Sequence, residues 1–218
     1  MNTTPETVKQ MLESENLGDR LRGVNEIRQL EPAVGFELIQ SAIKDKNARV
    51  RYSAVSQLDT LGGQDLDKSY NILRELLEDP EADVQAAAAD CLGGLKLVAA
   101  FDDLQKLYQS TGEWIVKLSI IAALGELGEP RGFEMLKQAL EEDNDLVKTA
   151  AISSMGELGN TEAISVLIPL ASNSDWQIRY RVAQALNRLG TSEAKPILES
   201  LANDEIEAVA EEAKNSQT

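Results

Sequence analysis

The side chains that most often carry catalysis are scarce in this sequence. The 218 residues include no histidine and one cysteine, Cys91, so the commonest general base is missing and a Cys/His zinc site is excluded. The diglycines Gly62-Gly63 and Gly93-Gly94 lack the lysine and the Ser/Thr of a phosphate-binding loop and are expected to end helices. We therefore expect no classical catalytic centre and no metal site.

An acidic run from Glu141 to Asp145 has part of the pattern of a calcium-binding loop. It lacks the glycine at the sixth position and the glutamate at the twelfth that such a loop requires. Negative charge is favourable at a helix N-terminus, and an aspartate there accepts backbone N–H bonds. The run is therefore predicted to begin a helix, with Asp145 as its cap.

The charge of the chain restricts its partners. A formal net charge of −16 and a pI near 4.4 argue against nucleic acid or an anionic membrane, because phosphates would be repelled. The sequence has no signal peptide and no apolar run near ~18 residues, so we expect a cytoplasmic protein that does not insert into membranes.

One apolar stripe recurs along the chain and defines the elements. Within residues 145–159 it consists of Val147, Ala151, Met155 and Leu158, at the spacing of one helix face. The same stripe begins again at Val50, Val84, Val116 and Ile178. A helix that returns at a near-fixed interval predicts a solenoid, here an all-α one of about seven helix pairs.

Each repeat is predicted to hold a helix A followed by a helix B that carries the stripe. Short connections with Gly, Pro, Asp or Asn make consecutive helices antiparallel. We expect a single repeat domain over residues 1–218, with 1–31 as the N-terminal cap repeat and 191–218 as the C-terminal one. Thr4 and Pro5 are expected to start the first helix, and Pro169 is expected to bend a helix A.

Three B helices carry a recurring motif: Arg49-Val50-Arg51-x-x-Ala54, Val147-Lys148-x-x-Ala151 and Ile178-Arg179-x-x-Val182, each closing with Leu-Gly. The motif resembles HEAT repeats, with a shorter period than the usual ~40–47 residues. It is similar to the short HEAT-like repeat of cyanobacterial phycobilin lyases and, by size and acidity, to their phycobilisome-degradation relatives. The resemblance covers nearly the whole chain and implies a right-handed solenoid.

The candidate binding residues lie on the face of each B helix that points away from the stripe. Offsets −2, +2, +6 and +9 from the first stripe residue fall on this face, which in HEAT-like solenoids lines the concave side. Trp114 and Trp176 share one repeat position, two repeats apart, and would form the walls of a groove on the order of 20 Å wide. The alternative is that both tryptophans pack the loop onto the next helix A. The full candidate set is Tyr52, Trp114, Leu118, Thr149, Ser153, Trp176, Tyr180, Arg181 and Gln184.

Cations follow the first stripe residue in several repeats: Arg51, Lys117, Lys148 and Arg179. Ion pairs between neighbouring repeats are the expected role of this series. Arg181 and Arg188 flank Tyr180 and are candidates to contact a carboxylate, such as a bilin propionate, with a bidentate fork.

The resemblance implies three functions. The first is a non-catalytic scaffold that recognises phycobiliproteins (phycocyanin, allophycocyanin) or their bilins in phycobilisome degradation, at the thylakoid surface. The second is a bilin lyase, or a lyase subunit or chaperone. The third is a general protein–protein adaptor unrelated to pigment, with a helix of another protein as its partner. No permanent cofactor is expected, although phycocyanobilin would bind transiently. Cys91 is predicted to be buried; the alternative is a thiol that briefly accepts a bilin.

Overall fold

A computed structural model describes residues 3–215 of the chain. Over these residues the protein consists of α-helices, short 3₁₀ segments and turns, without a strand. The contacts divide the chain into two compact units, Met1–Ser119 and Ile120–Thr218. None of the helices in the described part of the chain is both long and apolar enough to cross a membrane.

The helices follow one another through short connections. In the first unit they are α1 (Pro5–Leu12), α2 (Leu17–Glu26), α3 (Pro32–Ile43), α4 (Ala48–Val55), α5 (Leu58–Leu61), α6 (Leu66–Leu76), α7 (Ala82–Gly94) and α8 (Phe101–Ser110). Then come α9 (Trp114–Leu127), α10 (Gly132–Ala139), α11 (Asp145–Leu158), α12 (Ala163–Leu167), α13 (Trp176–Leu189), α14 (Lys195–Leu201) and α15 (Glu207–Lys214).

The helices pack in the pattern of stacked repeats. Within each unit a helix A contacts the helix B that follows it, as in α3 with α4, α6 with α7 and α10 with α11. Successive B helices also contact each other, as in α4 with α7, α11 with α13 and α13 with α15. This packing confirms the predicted all-α solenoid.

The repeated stripe forms the core of both units. Val50, Ala54 and Leu58 are fully buried in the first unit, and Val147 and Met155 are fully buried in the second. Burial of the same positions in successive repeats explains why the stripe returns in the sequence, since each helix B must cover its neighbours.

The helix ends agree with the sequence at several points and correct it at one. Thr4 caps α1 through its side chain with Pro5 at the first helical position, and Gly159 ends α11 in the left-handed conformation (φ 72°). The cap of α11, however, is Asn144, whose Oδ1 accepts from Leu146 N at 2.9 Å. The prediction of Asp145 as the cap was wrong by one residue, because Asn accepts the same bond.

Pro169 changes the geometry of its helix as expected. Helix α12 ends at Leu167, and the chain continues as a 3₁₀ segment over Ile168–Ser172. Proline removes a backbone donor and disfavours a regular α-helix around it.

Buried arginine–aspartate pairs join neighbouring repeats. Arg179 Nε lies 2.6 Å from Asp204 Oδ2 of the next repeat, and Arg179 Nη1 donates to the Asn173 carbonyl at 2.8 Å. Arg51 makes the same arrangement with Asp79, at 2.8 Å. These pairs confirm the inter-repeat role predicted for Arg51 and Arg179.

In the other repeats, the cation at this position of helix B has different partners. Arg20, which follows the irregular Asp19, pairs with Asp45 at 2.7 Å, so the N-terminal repeat has an inter-repeat pair that the stripe did not predict. Lys148 instead contacts Asp145 of its own helix at 3.7 Å. Lys117 lies over the ring of Tyr108, 5.4 Å from its centroid.

Candidate functional site

The aromatic side chains divide between the core and the surface according to their helix. Phe36, Phe101 and Phe133, which belong to A helices, are at most 4% exposed. Tyr52 on α4 is 48% exposed, and the tryptophans that begin α9 and α13 are 45% and 42% exposed. Each tryptophan thus leaves close to half of its surface in solvent. The B helices therefore present aromatic surface to solvent, where it is available to a partner.

Three further candidates lie on α9 and α11. Leu118, Thr149 and Ser153 are half-buried. The hydroxyls of Thr149 and Ser153 donate to carbonyls one turn earlier in α11, at 2.8 and 3.2 Å. Both hydroxyls retain acceptor capacity toward a partner.

Three predicted residues of α13 form a connected group. Arg181 Nη1 donates to Gln184 Oε1 at 2.9 Å, and Gln184 Nε2 donates to Tyr180 Oη at 3.1 Å. The Arg181 guanidinium lies 5.9 Å from the centre of the Tyr180 ring. One neutral hydrogen bond and one ring therefore hold Arg181, and its remaining N–H groups stay available.

A surface cavity of about 470 Å³ opens beside this group in the second unit. Ser153 and Glu157 line it from α11, Arg181 and Gln184 from α13, and Glu212 from α15. The remaining lining residues are Ala185, Asn187, Arg188 and Asn215. The structure thus brings together Ser153, Arg181 and Gln184 from the predicted set, on adjacent B helices.

Arg188 has a partner that the sequence analysis did not assign. Its Nη1 pairs with Glu157 Oε1 of the preceding repeat, so Arg181 and Arg188 do not act as two equivalent carboxylate ligands. The pairing was detectable in principle, because Glu157 and Arg188 occupy the same offset in successive B helices.

The glycines at offset +9 do not face an open groove, which corrects the expected outward face. A Cβ on Gly156 would lie 2.7 Å from Ala185 Cα, and a Cβ on Gly125 would lie 2.9 Å from Ser154 Cα. Offset +9 is thus a contact position between successive B helices, where glycine allows close approach. The exposed surface is narrower than the helical wheel indicated.

Cys91 lies on α7, and its side chain is buried against the end of α4. Its side chain is 2% exposed, and Sγ donates to the Val55 carbonyl at 3.2 Å. Val55 is the last residue of α4, so the thiol bonds a carbonyl at the end of that helix, where the regular backbone bonding stops. Burial, with the nearby Asp59 charge, raises the pKa of Cys91 to about 12. The prediction of a buried thiol is confirmed.

The raised pKa predicts that Cys91 is inert in the folded protein. A thiolate is the reactive species, and with a pKa of about 12 very little thiolate exists at pH 8. We expect no reaction of native protein with an aromatic disulfide reagent at pH 8, and one thiol per chain after denaturation. Rapid labelling of the native protein would contradict this placement.

Among residues 3–215 the acidic side chains and Cys91 form no group of three or more that could hold a metal ion. The acidic run before α11 contributes to the helix start instead, with Asn144 as the cap.

The sequence of this chain matches a known family of repeats. A profile of HEAT repeats matches residues 70–156 and 133–215. No curated protein sequence matches the chain.

Several solved structures share the fold. A chain in the complex of CpcE and CpcF of phycocyanin lyase from Nostoc sp. PCC7120 is 24% identical, with a TM-score of 0.67, covering 100% of this chain and 88% of that one. The Escherichia coli protein YibA is 16% identical, with a TM-score of 0.70 and coverages of 98% and 81%. An archaeal HEAT-like repeat protein from Thermococcus onnurineus NA1 is 12% identical, with a TM-score of 0.61 and coverages of 98% and 95%. At these identities the likeness concerns the fold. Together with the matched profile, which spans more than half of the sequence, it shows that the chain belongs to the HEAT repeat family.

Proposed function

We propose that this protein is a non-catalytic binding scaffold that recognises phycobiliproteins or their bilin chromophores through its B helices. The observation that carries the proposal is the exposure of Tyr52, Trp114 and Trp176, at 42–48%, in a chain whose phenylalanines are all buried. Aromatic side chains are enriched where proteins bind each other, and they stack well on conjugated ligands.

The pigment link rests on the resemblance of the repeats. A structure from phycocyanin lyase matches the whole length of the chain, and the repeat motif resembles that of phycobilin lyases and phycobilisome-degradation proteins. We infer a cytoplasmic role at phycobilisomes during their degradation. Phycocyanobilin would be a transient ligand in this role.

A titration with phycocyanin and, separately, with phycocyanobilin tests the proposal. Trp114 and Trp176 are exposed on B helices of the first and the second unit, so saturable quenching of tryptophan fluorescence is expected with at least one of the two ligands. A flat response to both would contradict the pigment proposal and favour an adaptor for other protein helices.

Substitution of the tryptophans locates the site. Trp114→Ala and Trp176→Ala are each expected to weaken binding by roughly tenfold or more, as for an aromatic residue at the centre of an interface. Far-UV circular dichroism should stay unchanged, because neither side chain is buried. Phe133→Leu, a change in the core, is the control that should leave affinity intact. Normal binding by both tryptophan variants would show that the site lies elsewhere.

The second candidate is a phycobilin lyase, or a subunit or chaperone of one. The structural match to a lyase complex of two different proteins favours it. In this role the scaffold would hold the bilin while a cysteine of the acceptor phycobiliprotein forms the bond, since the chain's own thiol is buried. Covalent transfer of phycocyanobilin to apo-phycocyanin, alone or with a second subunit, distinguishes the lyase from a scaffold that only binds.

A further inference from the structure

In the described part of the second unit, Arg181 lines the cavity without forming an ion pair with a carboxylate, although Glu157 and Glu212 line the same cavity. This unit carries 17 acidic and 8 basic residues, so most cations have an acidic neighbour. Within it, five basic residues pair with carboxylates: Arg131, Lys137, Lys148, Arg179 and Arg188. Among its other cations, Arg181 alone lines the cavity between α11, α13 and α15.

Arg181 is held in place by neutral groups. Its one side-chain hydrogen bond runs to Gln184 Oε1 at 2.9 Å, and its guanidinium lies against the Tyr180 ring. A guanidinium has five N–H donors in a fixed fork that matches a carboxylate. Since the side chain is already positioned, a carboxylate entering the cavity would lose little free energy in ordering it.

The same cavity contains an acceptor without a donor. Asn187 Nδ2 donates to the Glu212 backbone carbonyl at 2.6 Å, which fixes the orientation of the amide. Asn187 Oδ1 is shielded from solvent and has no hydrogen-bond partner in the described part of the chain. A buried carbonyl oxygen of this kind is stabilised by an incoming N–H group.

The spacing of these two groups points to the shape of the ligand. Arg181 and Asn187 lie six residues apart on α13, about 9 Å along the helix axis. An extended peptide rises about 3.3 Å per residue, so an acidic side chain and a backbone N–H two or three residues away span this distance. A peptide supplies both groups, at a spacing that matches the rise between Arg181 and Asn187 along α13.

We propose that the cavity formed by Arg181, Gln184, Asn187 and their neighbours is a binding site for an acidic segment of a partner protein in extended conformation. Arg181 binds a side-chain carboxylate, and Asn187 Oδ1 accepts a backbone N–H. Glu157 pairs with Arg188, so that among the described residues lining the cavity Arg181 is the cation left to bind the partner. The site uses no pigment, so its failure would leave the phycobiliprotein proposal standing.

An acetylated, amidated hexaglutamate peptide is the probe, with the hexaglutamine peptide as the neutral control. Binding is followed at low ionic strength by NMR, through the Nε–H resonance of Arg181. Saturable shifts with hexaglutamate alone are expected. No shift at millimolar peptide would overturn the proposal, and equal affinity for free glutarate would reassign the site to small carboxylic acids.

Three variants, each checked for full helicity, are expected to change hexaglutamate affinity in different directions. Arg181→Gln should weaken hexaglutamate binding by roughly tenfold, because the charge-assisted bond is lost. Glu157→Gln should strengthen it severalfold, because the Arg188 guanidinium becomes available. Lys195→Gln makes the same charge change as Arg181→Gln outside the cavity and should leave affinity within about twofold. Equal losses in Arg181→Gln and Lys195→Gln would show a general charge effect and overturn the site.

Discussion

Replacing Arg179 by alanine is expected to lower the free energy of unfolding by about 3 kcal/mol, since breaking a buried pair leaves a buried charge behind. The guanidinium makes two bonds to Asp204, at 2.6 and 2.8 Å, and one to the Asn173 carbonyl. Both side chains are about one-tenth exposed, at 11% and 8%. Urea unfolding followed by circular dichroism measures the loss.

An exposed pair provides the control for Arg179. Arg131 pairs with Glu129 at 3.0 Å but is 57% exposed in its side chain, so Arg131→Ala is expected to cost less than ~1 kcal/mol. Equal losses at the two sites would show that burial of the Arg179 pair contributes nothing specific.

The Arg179 pair also predicts the sign of a pH effect. The hydrogen bond from Arg179 holds the pKa of Asp204 below its ordinary value. The contribution is therefore fully present above the unfolded pKa, near ~4, and is lost as pH falls toward the folded pKa. Wild type and Arg179→Ala should consequently converge in stability below about pH 4.

Replacing Gly156 by alanine is expected to destabilise the protein by about 2 kcal/mol, as for an overpacked contact. The new Cβ would lie 2.7 Å from Ala185 Cα and 3.2 Å from its carbonyl oxygen, both on the backbone of the next B helix. Backbone cannot rotate away, so α11 and α13 must separate. Urea unfolding again measures the change.

The sign of this effect is diagnostic. Within a helix, alanine is normally favoured over glycine by up to ~1 kcal/mol, so helix propensity alone predicts stabilisation. Gly63→Ala, at a position with no atom within 4 Å of the added Cβ, is the control that should be neutral or stabilising. A Gly156→Ala variant as stable as wild type would show that the two helices can move apart freely.

Contacts of these two kinds recur between successive repeats. Inter-repeat pairs such as Arg51–Asp79 and glycine contacts such as Gly125 with Ser154 hold successive B helices together. Tyr52 and Trp176 are exposed instead and are available for the binding that we propose. The scaffold role proposed for the surface is consistent with this division.

The helix pairs and the buried stripe could be predicted from the sequence alone. These features follow from local rules: helical periodicity places Val147, Ala151 and Met155 on one face, and glycine and proline mark the ends. The predicted ion pairs between repeats were confirmed at the two arginines of the cation series, Arg51 and Arg179.

Which of the outward residues are available to a partner depends on how successive helices pack. Gly156 lies on the outward face of α11 by the helical wheel, yet the neighbouring helix covers it. Arg181 and Arg188 were equivalent in the sequence, but Glu157 occupies one of them and not the other. Periodicity describes a single helix, whereas the distance and angle between two helices result from all of their contacts together.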